Sequence, residues 1–419
     1  MTSAKRLRLA ARKPGAKRLL RWSGYDWAVR PTTASAGPGP CSWSDTPLHA
    51  SVDPATDALT VSIAQDGSTW NSVELVGPHL GYGKYSFTLS TDPAGIDIRP
   101  VLGLFTYDDT DNGTYAYREI DMEVTKWDWA PEPSRMWYTV QPTSEPMASD
   151  HGLDTGIPYL CEFTWQSGQV YFRTLDQAGN LLGEHLVTQG VFAPGAETIR
   201  VNLWISGGTG VPSDGQPCSM TLNSFAFTPG ATFTPPAAAS KVSTFTSPGM
   251  DGIALKTGAT IVAGVLTMAC THTDYSVAYS GGTYKLTGSQ VDVCIVGMPA
   301  IGNGSTEAQW FVRYDASNYF SMFISGGDLY SGEMYGGSKT NTLLVSPYDA
   351  TSHKYWRVRE ASGTVYFDTS PDRVTWTNMR SHAHTLSTKL ATMRMWFECG
   401  YYGTETAPDP LRIDAINTD

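Results

Sequence analysis

Three acidic residues, Glu119, Asp121 and Glu123, stand at alternate positions of one short apolar segment. In a β-strand alternate side chains point to the same face, so the three carboxyl groups would share one side of the strand. Like charges this close are unfavourable unless they share protons or act on a ligand. Glycoside hydrolysis uses such a set: one carboxylate attacks, one carboxylic acid protonates the leaving oxygen, and a third group separates their pKa values. The alternative is an exposed strand with a solvated acidic face.

The composition predicts an all-β chain with more than one domain. Its 419 residues exceed what one hydrophobic core usually organises. The sequence has 41 Gly, 26 Pro, 13 Trp and 21 Tyr but only 16% charged residues, which is typical of short aromatic-rich strands joined by tight turns. The 6 cysteines form no CxxC motif and no cluster with histidine, so we expect free buried thiols rather than disulfides or a zinc site.

The charge distribution separates a basic arm from an acidic body. Residues 1–21 contain eight Lys or Arg and no acid, whereas the whole chain has a net charge of −11. The remaining residues therefore carry −19, which argues against nucleic-acid binding by the body. Arg and Lys interrupt the leucines of the arm, so we expect no signal peptide, and no segment predicts membrane insertion. We expect a chain made in the cytoplasm whose arm docks on a partner, with homo-oligomerisation left open.

A stretch rich in proline and alanine divides the chain near residue 235. It reads PGATFTPPAAAS from Pro229 to Ser240 and suits a semi-rigid connector. The predicted organisation is an arm at 1–21, a β-sandwich at 22–228, a linker at 229–241 and a second β-sandwich at 242–419. In the first sandwich we predict strands at Leu59–Ile63, Ser72–Val76, Gly83–Leu89, Val101–Tyr107, Glu119–Thr125, Met136–Gln141, Leu160–Trp165, Gln169–Thr174 and Ile199–Ile205. A two-sheet jelly roll fits this order best.

The second sandwich repeats the pattern without the acidic triplet. Segments such as AQWFVRYD, NYFSMFIS and KYWRVREAS alternate large apolar with polar residues. Aromatic-rich sandwiches of this kind often bind carbohydrate, and the candidate stacking residues are Trp310, Tyr319, Trp356 and Trp376. A structural or oligomerising role is the alternative.

The segments that flank the triplet suggest a family. Five segments precede or follow Glu119–Glu123 in a fixed order along the chain: Gly24–Trp27, Gly81–Phe87, Val101–Tyr107, Val140–Pro142 and Asn202–Trp204. Together they resemble the family-16 glycoside hydrolases, concanavalin-like jelly rolls that include laminarinases and lichenases. The resemblance covers residues 22–228.

The resemblance implies a role for each acid. Glu119 would be the nucleophile, Glu123 the general acid/base and Asp121 the residue that tunes their protonation, with retention of anomeric configuration. Retention needs the two carboxyl groups about 5–5.5 Å apart, whereas Cα atoms four positions apart in a flat strand are about 13 Å apart. The strand must therefore curve, with both side chains leaning inward.

Pyranose rings stack on aromatic side chains while their hydroxyls meet polar groups. The candidate substrate-binding residues are Trp204, Trp127, Trp129, Trp137 and Tyr107, with Gln141 and Asn202 as hydrogen-bonding partners. Glu74 is assigned to a surface strand rather than to the cleft. No cofactor or metal is expected: Asp108–Gly113 resembles a calcium loop, but its spacing is one residue short and no bidentate Glu follows.

Two classes of function remain open. The first is a glycan-directed protein that binds and cleaves cell-surface β-linked polysaccharide by a retaining two-carboxylate mechanism. The second is a non-catalytic structural adhesin with a hydrolase-like fold. A basic arm, a hydrolase-like domain and a distal sandwich together resemble a bacteriophage minor tail protein, which would place the chain in a virion tail, facing a host cell wall and bound to other tail proteins. A free bacterial endo-β-glucanase exported by an unrecognised route is the competing interpretation.

Overall fold

The computed structural model describes residues 17–128, 134–142, 147–148, 153, 157–179, 181–188, 190–240, 243–245, 253–255, 258–280, 283–299, 306–402 and 408–418. In these ranges the chain is all-β, which confirms the predicted class. Its helical segments there are short 3-10 turns at Pro93–Gly95, Ala116–Arg118, Ala238–Ser240 and Ser387–Thr392. None of the described helices is long and apolar enough to cross a membrane. Trp129 and most of the predicted arm lie outside the described residues.

The strands are numbered in chain order. They are β1 (Arg18–Trp22), β2 (Tyr25–Val29), β3 (Thr33–Ala36), β4 (Cys41–Trp43), β5 (Ala50–Val52), β6 (Leu59–Asp66), β7 (Thr69–Val76), β8 (Gly83–Leu89), β9 (Pro100–Tyr107), β10 (Ile120–Thr125), β11 (Arg135–Val140), β12 (Met147–Ala148), β13 (Tyr159–Gln166), β14 (Gln169–Leu175), β15 (Leu181–Val187), β16 (Thr198–Ile205), β17 (Cys218–Pro229), β18 (Ile253–Leu255), β19 (Ala259–Val262), β20 (Val265–Met268), β21 (Thr271–His272), β22 (Ser276–Ser280), β23 (Gln290–Gly297), β24 (Thr306–Asp315), β25 (Asn318–Ser325), β26 (Asp328–Tyr335), β27 (Ser338–Val345), β28 (Tyr355–Ala361), β29 (Thr364–Ser370), β30 (Thr377–Ala383), β31 (Arg394–Tyr401) and β32 (Leu411–Ile416).

The described residues fall into two compact units. The first comprises Met1–Ser144, Leu153–Leu160 and Phe192–Pro229, and the second comprises Glu145–Gly152, Cys161–Val191 and Gly230–Asp419. The predicted boundaries at 22–228, 229–241 and 242–419 stay a prediction.

One sheet of the first unit carries the acidic strand. Its antiparallel order is β11-β10-β9-β16-β7-β2-β1. Strand β10 therefore has a neighbour on each side, and the neighbouring β9 is itself flanked by β16. Because side chains in paired strands stand side by side, the register of these pairs fixes which residues meet the three carboxyl groups.

The second sheet of this unit pairs β5, β6, β17 and β8 in that order. Aromatic rings join the two sheets: Phe225 on β17 packs 5.5 Å from Trp27 on β2 and 4.8 Å from Phe87 on β8, measured between ring centroids. Trp22 lies 5.2 Å from Trp27 and, like Trp27 and Phe87, is fully buried. A core of aromatic side chains therefore joins the two sheets at β2, β8 and β17.

The second unit contains a further sandwich. One sheet runs β18-β22-β31-β24-β25-β26-β27, with β21 parallel to β31, and the other runs β19-β20-β32-β23-β28-β29-β30. Trp310 and Trp356, predicted as stacking residues, are each 1% exposed and lie in the core between sheets. Tyr319 is also buried, and the guanidinium of Arg357 covers the ring of Trp376 at 3.8 Å. None of these four rings therefore has an exposed face on which a sugar could stack.

The prediction that all cysteines are free thiols is wrong for one pair. Cys270 and Cys399 form a disulfide, with their Cα atoms 5.0 Å apart. The 129 residues between them in sequence hide this proximity, because it arises from packing within the second unit. Cys41, Cys161 and Cys294 are free and buried, and Cys218 is free and partly buried.

Candidate active site

Strand β10 sorts its residues onto two faces. Ile120, Met122 and Val124 are fully buried in the sandwich core. Asp121 and Glu123 therefore point to the opposite face, together with Glu119, which directly precedes the strand. Because side chains alternate between the two faces of the strand, the three carboxyl groups lie on the same face, as predicted.

The strand register lines up these acids with side chains from neighbouring strands. Asp121 pairs with Phe105 on β9, which pairs with Arg200 on β16. One step along, Glu123 pairs with Gly103, which pairs with Asn202. The face thus has one row containing Asp121 and Arg200, and a next row containing Glu123 and Asn202.

These rows line a cavity of 710 Å³ on the face away from the core. Glu119, Asp121 and Glu123 all line it. The predicted substrate-binding residues Trp204, Trp127, Tyr107, Gln141 and Asn202 line it as well. Its volume is within the range of small-ligand and oligosaccharide-sized pockets.

Aromatic pairs stand on both sides of the acidic residues. Near Glu119, the rings of Tyr107 and Tyr117 stack with centroids 5.1 Å apart. Beyond Glu123, Trp127 and Trp204 lie edge to face with centroids 6.1 Å apart. A chain of sugar rings laid along β10 would therefore meet an apolar surface on either side of the carboxyl groups.

Trp137 is placed differently from the other predicted aromatic residues. It pairs with Glu123 across β10 and β11, on the same face of the sheet, but it is not part of the cavity lining. Gln141 lies at the opposite end of β11, where its backbone N–H donates to the carbonyl oxygen of Glu119 at 3.0 Å. Gln141 therefore fixes the backbone that carries Glu119.

A glycine opens the floor of the cavity beside Glu123. A side chain at Gly103 would place its Cβ 2.5 Å from Oδ1 of Asn202, which is closer than atoms can approach. That same oxygen accepts a hydrogen bond from the Gly103 backbone N–H at 3.1 Å. The absent side chain leaves room for the amide of Asn202, which the Gly103 N–H holds in place.

The three acids hold protons more firmly than free carboxyl groups do. Burial raises the pKa of Glu119 to about 7, although the positive charge of Arg200 opposes this rise. Burial and the charge of Glu119 raise the pKa of Glu123 to about 8. Burial, Glu119 and Glu123 together raise the pKa of Asp121 well above its ordinary value. Of the two glutamates, Glu119 is therefore the one that ionises at lower pH, because only its ionisation is favoured by a nearby cation.

Two charged residues of the site were missed or misassigned at the sequence level. Glu74, predicted on a surface strand, is 4% exposed and lines the cavity. It is buried because it pairs with Asn202 across β7 and β16, which brings it onto the acidic face. Arg200 was not predicted at all, although it stands two positions before Asn202 and four before Trp204, in phase with both predicted cleft residues.

The segment that precedes Glu119 is a left-handed turn. Ala116, Tyr117 and Arg118 have φ angles of 48°, 58° and 49°. One oxygen of Asp111 accepts backbone N–H bonds from Tyr115 and Tyr117, both at 2.9 Å. Three successive residues in this region cost about 1–2 kcal/mol each, so the acidic loop must stabilise the turn.

The acidic loop 108–113 is a turn rather than a calcium loop. Asp108 accepts hydrogen bonds from Thr110 and pairs with Arg118 at 2.8 Å, so its carboxylate is already occupied. Burial works against its ionisation, but these bonds prevail and lower the pKa of Asp108 to about 2. In the part of the chain that the structure describes, no group of three or more His, Cys, Asp or Glu side chains is arranged to hold a metal ion.

Solved structures of β-glucanases are similar to about half of this chain. A Bacillus licheniformis β-glucanase is 19% identical, covering 52% of this chain and 99% of that protein with a TM-score of 0.40. A prokaryotic β-1,3-1,4-glucanase (lichenase) from a mouse hindgut metagenome is 18% identical, covering 48% and 92%, with a TM-score of 0.38. A glycoside hydrolase family 16 endo-glucanase from Bacteroides ovatus is 13% identical, covering 48% and 94%, with a TM-score of 0.38.

No protein-family model and no curated protein sequence matches the chain.

Proposed function

We propose that the first unit is a glycan-directed hydrolase that cleaves β-linked polysaccharide within the chain and retains anomeric configuration. The observation that carries the proposal is the convergence of Glu119, Asp121 and Glu123 on one face of β10, inside a cavity with aromatic pairs on both sides. An exposed strand with a solvated acidic face would have neither a cavity beside it nor buried carboxyl groups.

The roles follow from which acid ionises first. Glu119 attacks the anomeric carbon as a carboxylate, while protonated Glu123 gives its proton to the departing glycosidic oxygen. Water then enters, Glu123 accepts a proton from it, and the new hydroxyl oxygen bonds to the anomeric carbon as Glu119 leaves. Asp121 is buried between the two glutamates and stays protonated. This limits electrostatic repulsion among the three carboxyl groups.

The aromatic pairs favour a polymeric substrate. Trp127 with Trp204 and Tyr107 with Tyr117 lie at opposite ends of the acidic row, so sugar units would be bound on both sides of the cleaved bond. Such placement is typical of cleavage within a chain rather than from its end. Asn202 offers its amide to sugar hydroxyl groups beside Glu123.

The experiment is a reducing-end assay on β-glucans and on purified bacterial wall glycans, with the intact protein and two variants. Glu119→Gln and Glu123→Gln should each abolish release of reducing ends while glycan binding persists. Gln keeps the size of Glu but can neither attack nor donate the proton. As a control, Asp57→Asn changes an exposed acid outside the cavity and should leave cleavage unchanged.

The competing adhesin function predicts a different outcome of the same experiment. If the intact protein binds a wall glycan but releases no reducing ends from any of them, the cleft is a binding site only. Unchanged cleavage by Glu119→Gln would also reject the proposed mechanism.

We further propose that the chain acts at a host cell surface as a minor component of a bacteriophage tail. Support comes from organisation: a basic arm at residues 1–21, with eight Lys or Arg and no acid, precedes a hydrolase-like unit and a second sandwich. The arm would dock on other tail proteins through charge. Deleting residues 1–16, which precede β1, should prevent incorporation into particles while leaving glycan binding intact, and normal incorporation of the truncated chain would contradict this role.

A further inference from the structure

Arg200 occupies a distinct place in the cleft. It is 6% exposed and stands on β16 in the same cross-strand row as Asp121. Its guanidinium lies 4.9 Å from the ring centre of Tyr107. Tyr107 follows Thr106, the partner of Ile120, so it lies beside Glu119 at the start of β10. Of the two glutamates, Glu119 is therefore the one that lies closer to Arg200.

Three acceptors hold the guanidinium of Arg200 in place. Nη1 donates to Glu74 at 3.1 Å, Nη2 donates to Asp109 at 2.5 Å, and Nε donates to Thr198 at 3.3 Å. Glu74 is in turn 3.5 Å from the guanidinium of Arg30. A side chain bound at three nitrogens on a rigid strand cannot follow a ligand, so its charge stays where the fold puts it.

The surroundings of the two glutamates differ in charge. Around Glu119 stand Arg200 from β16, Tyr107 from β9, and Asp109 and Tyr117 from the loop that follows β9. Around Glu123, the nearest partners in its row are Trp137, Gly103 and Asn202, which carry no charge. Beyond Asn202 the row reaches Glu74, an anion, so it brings no cation to Glu123.

The remaining charges along the cleft do not reverse this difference. Asp121 lies between the two glutamates, and both of them disfavour its ionisation. Arg30 and Lys17 also line the cavity, and Arg30 is paired with Glu74. Among the described ion pairs, none joins a cation to Glu123.

We propose that Arg200 is a positioning residue that assigns the attacking role to Glu119 and leaves Glu123 to carry the proton. This inference rests on the proposed hydrolase function but concerns a residue outside the acidic triplet. It explains why two glutamates on one strand, both removed from water, play opposite roles. The opposing influence of Arg200 on the proton affinity of Glu119 agrees with the geometry.

The test measures protonation of Glu119 directly, without requiring activity. The side-chain carboxyl carbons of isotope-labelled intact protein are titrated by NMR, and the Glu119 signal is assigned by its absence in Glu119→Gln. Arg200→Gln should raise the Glu119 midpoint by about one pH unit, as expected for losing a nearby cation. Arg200→Lys keeps the charge and should leave the midpoint close to that of the intact protein.

A second variant guards against misfolding. Arg200→Gln leaves Glu74 buried with only Arg30 as its cation, so the double variant Glu74→Gln/Arg200→Gln removes both charges of the pair and should fold more readily. The proposal requires an upward shift of the Glu119 midpoint in both variants, smaller in the double variant because the Glu74 anion is removed together with the Arg200 cation. An unchanged Glu119 midpoint in the folded double variant would overturn it.

Hydrolysis supplies the second measurement. In Arg200→Gln, the acidic limb of the kcat/KM profile should move to higher pH by the same amount, whereas Arg200→Lys should restore the limb. A loss of kcat without movement of that limb would mean a purely structural role and overturn the proposal. If the intact protein cleaves no glycan, the proposed hydrolase function fails, while the NMR titration still decides what Arg200 does to Glu119.

Discussion

Replacing Gly103 by alanine tests whether the floor of the cleft is built as described. The new methyl carbon would lie 2.5 Å from Oδ1 and 3.3 Å from Cγ of Asn202. Asn202 is only 3% exposed and bonds the Gly103 N–H through that oxygen, so its amide must turn away and lose the bond. Overpacking of this kind costs about 1–3 kcal/mol in the free energy of unfolding.

The same substitution should affect chemistry more than stability. The methyl group would stand in the row of Glu123 and would displace the Asn202 amide, which we propose to bind sugar hydroxyl groups. A misplacement of about 1 Å can lower a rate about 100-fold. We therefore expect urea unfolding to show the modest loss of stability and the reducing-end assay to show a fall of about 100-fold in kcat/KM.

Gly95→Ala is the matched control. Gly95 is exposed in a short 3-10 turn, and a methyl group there meets no atom within 4 Å. It should leave both the free energy of unfolding and the cleavage rate unchanged. If Gly103→Ala behaved like Gly95→Ala in both measurements, the floor of the cleft would not lie at Gly103 and the assignment of Asn202 would be wrong.

Other predictions concern pH and the aromatic surface. Since Glu119 must be ionised and Glu123 protonated, kcat/KM should peak between their pKa values of about 7 and about 8, and a profile without two limbs would contradict the roles. Because both folded-state pKa values lie above the unfolded value of 4.5, the free energy of unfolding should fall as pH rises from 4.5 to about 8. Glu123→Gln should flatten that fall in urea titrations at pH 5 and 9, and an unchanged slope would refute the burial argument. Trp204→Ala should weaken glycan binding by about 1 kcal/mol in calorimetry, whereas an unaltered Kd would exclude stacking there.

Alternation along single strands made much of the first unit predictable. The predicted strand Gly83–Leu89 is β8 as observed, with strictly alternating burial, and Val101–Tyr107 and Ile199–Ile205 each differ from the observed strands by one residue. The same period placed the acidic triplet on one face. Such predictions succeed because they depend only on local sequence.

Features that depend on partners across the sheet were not predictable in this way. Glu74 looks like a surface residue within its own strand, and only the register with Asn202 shows that it is buried in the cleft. The Cys270–Cys399 bond similarly joins residues 129 positions apart. The sequence spacing shows that Arg200 and Trp204 lie on the same face of one strand. That Arg200 lies near Glu119 follows only from the pairing of β16, β9 and β10.

The central claim is that Glu119 forms a covalent bond with a β-glycan during cleavage. The most direct measurement uses an activated 2-deoxy-2-fluoro β-oligoglucoside, which slows breakdown of a glycosyl-enzyme, followed by mass spectrometry of the peptides. We expect a single sugar adduct on Glu119 in the intact protein and none in Glu119→Gln. Cleavage of glycan without any adduct, or an adduct on Glu123 instead, would contradict it.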